Sequence, residues 1–218
     1  WEARRIAARV DEMLALVGLE PGTFRDRRPA SLSGGQGQRV GVARALAADP
    51  PVLLMDEPFG AVDPLERARL REEVAALLHR LGKTAILVTH DIDEAVRMAD
   101  RVAVMRAGRV VQDDAPDRLL AHPADAFVAD FVGQDRALRR LALVRVGDLC
   151  GSEAAPAGSP TLAAAAPVSE ALSALLQSGG EVSRVVDDAG RAIGSLTLDA
   201  IRRHAAALSC REPGPPSG

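Results

Sequence analysis

Two short motifs in this sequence contain residue types that suit phosphate chemistry. The first is LSGGQ at residues 32–36, which places Ser33, Gly34 and Gly35 at the start of a helix expected from about residue 34. Free backbone N–H groups and the positive end of the helix dipole make such a start an anion site. The glycines let a phosphate approach the backbone, and the Ser33 hydroxyl adds a hydrogen-bond donor. The motif therefore predicts phosphate contact; the alternative is a glycine-rich helix start without a ligand.

The second motif is an apolar strand, VLLM at residues 52–55, followed directly by the carboxylates Asp56 and Glu57. A carboxylate at the C-terminal edge of a parallel strand lies where nucleotide crevices form, and it suits Mg²⁺ held directly or through water. The next carboxylate can orient and deprotonate a water that attacks a γ-phosphate. Asp56 is thus the predicted Mg²⁺ ligand and Glu57 the predicted general base. The alternative is an acidic pair that only caps a helix.

His90 follows a second apolar run, TAILVT at residues 84–89, and is expected near the same sheet edge. An imidazole there can hydrogen-bond the γ-phosphate and hold the geometry of the attacking water. The remaining histidines, His79, His122 and His204, have no such setting, so we expect them to be surface or helix residues.

These residues must be positioned by alternating strands and helices. Helices are expected over 2–18, from 34 to Pro50, from Pro64 to about Arg80, and after Asp91, with a hairpin around Ala107-Gly108. The order strand–helix–strand–helix–strand indicates an α/β fold with a mainly parallel sheet whose first two strands are buried. Beyond it, an apolar strand is expected over Leu141–Val146 and a linker composition over 151–160.

Composition excludes some classes of function. The formal net charge is −3 and only 2% of residues are aromatic, and no basic face with interleaved aromatics is present, so no nucleic-acid partner is expected. No apolar run approaches the roughly 18 residues needed to span a bilayer.

LSGGQ, VLLMDEP, AVDP and THD, in this order, resemble the signature, Walker B, D-loop and switch-histidine motifs of ABC transporter ATPases. The resemblance implies a partial P-loop-NTPase-like cassette over residues 1–135 that hydrolyses ATP with Mg²⁺. It also implies a head-to-tail dimer in which the signature residues contact ATP bound by the other subunit, with Asp63 at the dimer seam. These signature residues are Ser33, Gly34, Gly35 and Gln36.

The phosphate-cradling loop G-x-x-x-x-G-K-[ST] does not occur in the 218 residues. Gly82-Lys83-Thr84 imitates its end, but Leu77 stands at the first glycine and a strand follows, so we expect a surface turn there. The sequence begins without Met inside an amphipathic helix. We therefore expect a segment of a longer or truncated protein, or a non-catalytic partner, that is inactive alone.

Residues 90–133 resemble the importer ATPases for quaternary amines such as glycine betaine, choline and proline betaine. This resemblance implies a second ATPase subunit (a homodimer or an intact paralogue), transmembrane permease subunits, a substrate-binding protein, and a peripheral place on the cytoplasmic face of a bacterial membrane. An ATPase of another small-solute importer is the alternative. A cassette ATPase of DNA repair or translation would need a coiled-coil insertion or a second cassette.

Residues 161–208 resemble a single cystathionine-β-synthase-type (CBS) repeat, a small α+β unit, after a linker at 136–160 and before a tail at 209–218 expected to be disordered. Such repeats often bind adenosine nucleotides through Thr-x-x-Asp. Here Thr197 is followed by Asp199, one place early, so these two residues are a weak candidate adenosine site. Sensing of ionic strength or of a membrane surface, dimerisation and a purely structural role are the alternatives.

Overall fold

The chain folds as two units, each with its own buried core. The computed structural model describes residues 2–60 and 62–210, without the side chains of residues 64, 65, 209 and 210. Contacts divide the chain between Met98 and Ala99. This division falls earlier than the boundary expected at residue 135. The helix Arg136–Ala142 packs against Pro116–Ala121, which precedes residue 135, and against Val168–Ser178, which follows it, so these helices belong to one unit. The domain boundaries inferred from the sequence remain a prediction.

The first unit alternates helices with two strands, as the sequence predicts. Its elements are α1 (Ala3–Leu16), α2 (Pro21–Phe24), a 3₁₀ turn (Pro29–Ser31), α3 (Gly34–Ala47), β1 (Val52–Asp56), α4 (Pro64–Arg80), β2 (Thr84–Val88) and α5 (Ile92–Met98). The core takes apolar side chains from α1, α3, β1 and α4 and from the loop after β1, where Phe59 is fully buried.

Strands β1 and β2 pair in parallel, with Leu54 opposite Ile86 and Asp56 opposite Val88. The expectation of two buried strands is wrong: Leu53 is 3% exposed, whereas Leu54 is 75% exposed and Ile86 53%. Successive side chains of a strand point to opposite faces. Within the described residues the core covers the face that carries Leu53, which leaves an apolar row on the other face open to solvent.

The second unit begins with the predicted hairpin. Its elements are β3 (Val102–Arg106), β4 (Arg109–Asp114), α6 (Pro116–Ala121), α7 (Ala126–Val132), α8 (Arg136–Ala142), α9 (Val146–Leu149), β5 (Thr161–Ala163), α10 (Val168–Ser178), β6 (Val182–Val186), β7 (Ala192–Thr197) and α11 (Leu198–Cys210). Strands β3 and β4 are antiparallel and form a separate sheet. Ala107 and Gly108 both have positive φ, of 50° and 75°, as a tight hairpin turn requires.

The strand expected over Leu141–Val146 does not form. Helix α8 ends at Ala142 and α9 begins at Val146, and both Leu141 and Val146 are buried in the second core. Residues 136–149 of the expected linker are thus mostly helical and packed. Helix α11 runs to Cys210, so the first two residues of the expected tail are helical; residues 211–218 lie outside the described part.

The C-terminal part of this unit has the predicted order helix, strand, strand, helix. Its sheet has the order β5-β6-β7, with β5 parallel and β7 antiparallel to β6. Helices α10 and α11 bury Val168, Leu175 and Ile201 against it. The short strand β5 is not predicted by the sequence.

No helix in the described ranges is both long enough and apolar enough to cross a membrane.

Candidate functional site

Glu57 and His90 meet at the C-terminal ends of the two parallel strands. The Glu57 backbone N–H donates to the Val88 carbonyl at 2.9 Å, which extends the strand pairing by one residue. The Glu57 Oε1 atom then lies 2.6 Å from His90 Nδ1. Parallel strands bring their C-terminal ends to one sheet edge. The predicted proximity of these two residues is therefore confirmed.

The backbone of Glu57 is left-handed, with φ of 46°. A non-glycine residue in this region costs of order 1–3 kcal/mol and persists where its surroundings hold it in place. Here the Glu57 N–H is fixed by Val88 and its carbonyl accepts from Gly60 N–H at 3.2 Å. The turn thus directs the side chain toward His90 at an energetic cost.

The hydrogen bond and the charge of Glu57 raise the pKa of His90 above its usual value of 6.5. A raised pKa favours the imidazolium form, in which both ring nitrogens are donors. Nδ1 then donates to Glu57, which leaves Nε2 to donate to an anion. The His90 side chain is 82% exposed, so that nitrogen is open to a ligand.

Asp56 is an exposed carboxylate at the end of β1. Among the described residues no group of three or more His, Cys, Asp or Glu side chains could hold a metal ion. Mg²⁺ commonly binds proteins through one or two carboxylates, with phosphate and water oxygens as its other ligands. A single carboxylate at this edge fits that donor set, but only together with a bound phosphate.

The signature residues form a capped helix start. The Ser33 Oγ atom accepts from Gln36 N–H at 3.3 Å, and Ser33 N–H donates to Gln36 Oε1 at 3.1 Å. This reciprocal pair is a capping box, a device that stabilises helix N-termini. Because Ser33 Oγ accepts in this pair, its own hydroxyl proton remains a possible donor to an anion.

The two signature glycines lie in different surroundings. Gly34 is exposed, whereas Gly35 is buried, and a Cβ atom added to Gly35 would lie 2.8 Å from the Glu66 carboxylate on α4. Glu66 is exposed, so its flexible carboxylate end can move aside, and this contact does not by itself require glycine at residue 35. Gly37 has open space at its Cβ position.

Asp63 is exposed immediately before α4, and its carbonyl accepts from Arg67 N–H at 2.8 Å. Asp63 therefore lies at the surface, as a contact with another subunit requires. That dimer role stays a prediction.

Lys83 lies in the turn between α4 and β2, as predicted, and not in a phosphate loop. Its Nζ atom is 2.7 Å from Asp49 Oδ1, and this contact lowers the pKa of the Asp49 carboxyl. Gly82 ahead of it has a φ of 59°, which suits a turn after a helix.

In the C-terminal unit, Thr197 and Asp199 both have partners at the start of α11. Thr197 Oγ1 accepts from Ala200 N–H at 3.0 Å, and Asp199 lies 3.3 Å from Arg203. These contacts give both residues a capping or helix-surface role. Their proposed adenosine contact stays a prediction.

Of the predicted site residues, the structure brings two pairs into contact, Glu57 with His90 and Ser33 with Gln36. Three residues beside the first pair were missed by sequence reasoning: Arg71, Thr89 and Glu94. For Glu94 the sequence carries little signal of a buried role, because a Glu in the first turn of a helix is ordinarily exposed. Here Glu94 is only 3% exposed.

Known proteins with similar sequences are ATP-binding components of importers. The osmoprotectant import ATP-binding protein OsmV of Salmonella typhimurium is 47% identical over 196 residues, 89% of this chain and 50% of that protein. The glycine betaine uptake system ATP-binding protein YehX of Escherichia coli is 48% identical over 197 residues, 90% of this chain and 63% of that protein. The chain thus spans about half of OsmV and less than two thirds of YehX.

Family and fold comparisons point the same way. A family profile described as ABC transporter matches residues 2–60. The structure of cbiO1 from Clostridium perfringens, part of the ABC transporter complex cbiONQ, is similar with a TM-score of 0.53 and 31% identity, over 66% of this chain and 51% of that one. Residues 2–60 therefore match the ABC transporter family profile, and about two thirds of the chain has the α/β fold of an ABC cassette, with importer ATP-binding proteins as relatives.

Proposed function

We propose that this chain is part of the ATP-hydrolysing subunit of an ABC importer for osmoprotectants such as glycine betaine and other quaternary amines. The observation that carries the proposal is the 2.6 Å contact between Glu57 and His90 at the ends of paired parallel strands. The substrate class is supported by OsmV and YehX, whose alignments extend over about nine tenths of this chain.

In this proposal Glu57 is the general base. One carboxylate oxygen contacts His90, and the other can accept a proton from the water that attacks the γ-phosphate of ATP. The His90 imidazolium donates from Nε2 to a γ-phosphate oxygen, where negative charge must be neutralised. Asp56 would hold Mg²⁺, which supplies further neutralisation of phosphate charge when bound.

The proposal also assigns this chain its partner subunits. Ser33, Gly34, Gly35 and Gln36 act on ATP held by a second ATPase subunit, either a copy of this chain or an intact paralogue. Asp63 lies at the seam between the two subunits. Exposure of Ser33, Gly34 and Asp63 supports this arrangement. Permease subunits and a substrate-binding protein complete the importer, with the ATPase peripheral on the cytoplasmic face of a bacterial membrane.

The element order of residues 161–208 supports a CBS-type unit, which we propose as a regulatory or dimerising appendage. Thr197 and Asp199 already contact Ala200 and Arg203 of the same helix, which favours a regulatory or dimerising role over adenosine binding.

The test is a chimera in which these 218 residues replace the segment of YehX that they match. We expect ATPase activity and glycine betaine uptake in cells lacking YehX. Glu57→Gln should lower turnover by about 100-fold or more, since a general base contributes about 10²–10⁴-fold. Glu153→Gln, in an exposed loop of the second unit, is the matched control and should leave turnover unchanged.

Two outcomes of this test separate the alternatives. ATPase activity without betaine uptake would favour an importer of another small solute. Full activity in the Glu57→Gln chimera would contradict the catalytic assignment itself.

The 218-residue chain without other segments should show no ATP turnover, because its sequence contains no phosphate loop. It would then act, if at all, as a non-catalytic partner that supplies its signature helix. Turnover by the chain alone that disappears in Glu57→Gln would overturn this expectation.

A further inference from the structure

Glu94 is a buried carboxylate that the proposed reaction does not use. It lies in the first turn of α5, four residues after His90, and is 3% exposed. A buried carboxylate is costly unless hydrogen bonds and an opposite charge compensate it. Its partners therefore show what it stabilises.

The first partner is Thr89, the residue before His90. Thr89 Oγ1 donates to Glu94 Oε2 at 2.7 Å and accepts from Asp91 N–H at 3.0 Å. The hydroxyl thus uses its donor and an acceptor position together. These two bonds fix the chain on both sides of His90.

The second partner is Arg71 on α4. Its guanidinium lies 3.5 Å from Asp91 and 4.0 Å from Glu94, and its side chain is 15% exposed. At these distances the contact is electrostatic, and the buried Nη1 makes no hydrogen bond within the described residues. Asp91 also caps α5 by accepting from Asp93 N–H at 2.9 Å. The group connects α4, the turn after β2, and α5.

His90 itself contributes little to this anchoring. Its ring is 82% exposed and contacts Glu57 through one nitrogen. An exposed side chain keeps its rotamer freedom unless its backbone and neighbours restrict it. The turn that Thr89 and Glu94 hold thus sets the backbone position from which the His90 ring reaches Glu57.

We infer that Thr89, Glu94 and Arg71 are positioning residues that hold the turn bearing His90 in register with Glu57. The catalytic meaning rests on the proposed role of His90 and Glu57. The arrangement itself is a property of the folded chain and can be tested without ATP.

The test follows the His90 ring by NMR in the 218-residue chain. Thr89→Val removes the hydroxyl without changing any charge, and Thr89→Ser keeps it. The carboxylates facing His90 are Glu57, Asp91 and Glu94, and Arg71 faces the last two. All four side chains are kept in the Thr89 variants, so no charged group near His90 is added or removed.

We expect the titration midpoint of His90 to fall toward 6.5 in Thr89→Val and to stay at the wild-type value in Thr89→Ser. Thr23→Val, on the exposed surface of α2, is the matched control and should change nothing. A wild-type midpoint in folded Thr89→Val would overturn the inference.

If Thr89→Val does not fold, Glu94→Leu provides the second variant, because leucine cannot accept the Thr89 hydroxyl proton. Here the His90–Glu57 contact is read from the ring chemical shifts at a pH where His90 is neutral, so that the lost charge of Glu94 matters least. Shifts equal to those of Glu57→Gln would support the inference, and wild-type shifts would overturn it. Neither readout depends on ATP hydrolysis, so a failure here is distinct from a failure of the proposed function.

Discussion

At the scale of single residues, the contact between Glu57 and His90 decides the charge of the site. Both side chains are solvent-accessible, so the pair is held by one short hydrogen bond and not by burial. An exposed pair of this kind contributes little stability but still shifts protonation. The Glu57–His90 pair therefore affects the protonation of the site more than the stability of the fold.

The first prediction concerns this protonation. Glu57→Gln should lower the pKa of His90 toward 6.5, because the hydrogen bond and charge of Glu57 are the main causes of its elevation. NMR titration of the His90 ring would measure it, with Glu153→Gln as control. A titration unchanged by Glu57→Gln would show that the pair does not form in solution.

The sign of the accompanying stability change follows from linkage. The pKa of His90 is raised in the folded chain, so the pair stabilises it fully below the unfolded-state pKa near 6.5. That contribution is lost as the pH rises through the folded-state pKa. The difference in Tm between the wild type and Glu57→Gln should therefore shrink over this range.

Glu57 and His90 can be predicted from the sequence because apolar runs show where strands end. The left-handed backbone of Glu57 cannot, since its φ depends on the Val88 and Gly60 contacts. Nor can the burial of Glu94, which depends on Thr89 and on α4.

At the scale of elements, the sequence predicts most helices and the first four strands, and it is wrong about one short apolar run. The start of α3 matched because Ser33 and Gln36 form a capping box. The apolar run Leu141–Val146 predicts a strand, but in the structure it ends α8 and begins α9. Short apolar runs do not distinguish a strand from a buried helix segment without tertiary context.

The apolar sequences of β1 and β2 predict more burial than the structure shows, again because tertiary context decides the outcome. An apolar strand predicts two covered faces, but whether both are covered depends on what packs there. In the described residues only the face with Leu53 enters the core.

The second prediction tests this one-sided burial. Leu53→Ala should lower the free energy of unfolding by about 2–5 kcal/mol, as for other buried leucines. Leu54→Ala, the matched control on the open face, should change it by no more than about 0.5 kcal/mol. Urea unfolding of the 218-residue chain would measure both, and equal losses would show that the open face is covered in solution.

At the scale of the whole molecule, aliphatic side chains form both cores. The sequence is 47% hydrophobic but only 2% aromatic, and Phe59 is the one aromatic ring among the fully buried side chains of the described residues. Composition therefore predicted the kind of core. It could not predict that residues 136–149 join the second core, because long-range contacts decide that.

Arg140 is the clearest of these long-range contacts. Its side chain is 6% exposed, pairs with Asp117 at 2.7 Å and donates to the Leu208 carbonyl at 2.6 Å. One guanidinium thus connects α6, α8 and α11. The planar fork of arginine allows several such bonds at once, which lysine cannot reproduce.

The third prediction follows from this contact. Arg140→Ala should destabilise the second unit by about 1–3 kcal/mol, because it removes a buried guanidinium and leaves the Leu208 carbonyl without its donor. Arg140→Lys should recover only part of this loss. Arg191→Ala, which breaks an exposed pair with Asp187, should cost much less. Denaturant unfolding would compare them, and equal effects would contradict the buried role.

The left-handed backbone at Glu57 has a consequence for how this protein can be improved. Glycine adopts that backbone without strain, so Glu57→Gly should raise thermal stability while removing the proposed base. Selection for heat resistance and selection for turnover would then act in opposite directions on the same residue. A library screened only for folding would therefore lose this carboxylate, as glycine replaces it.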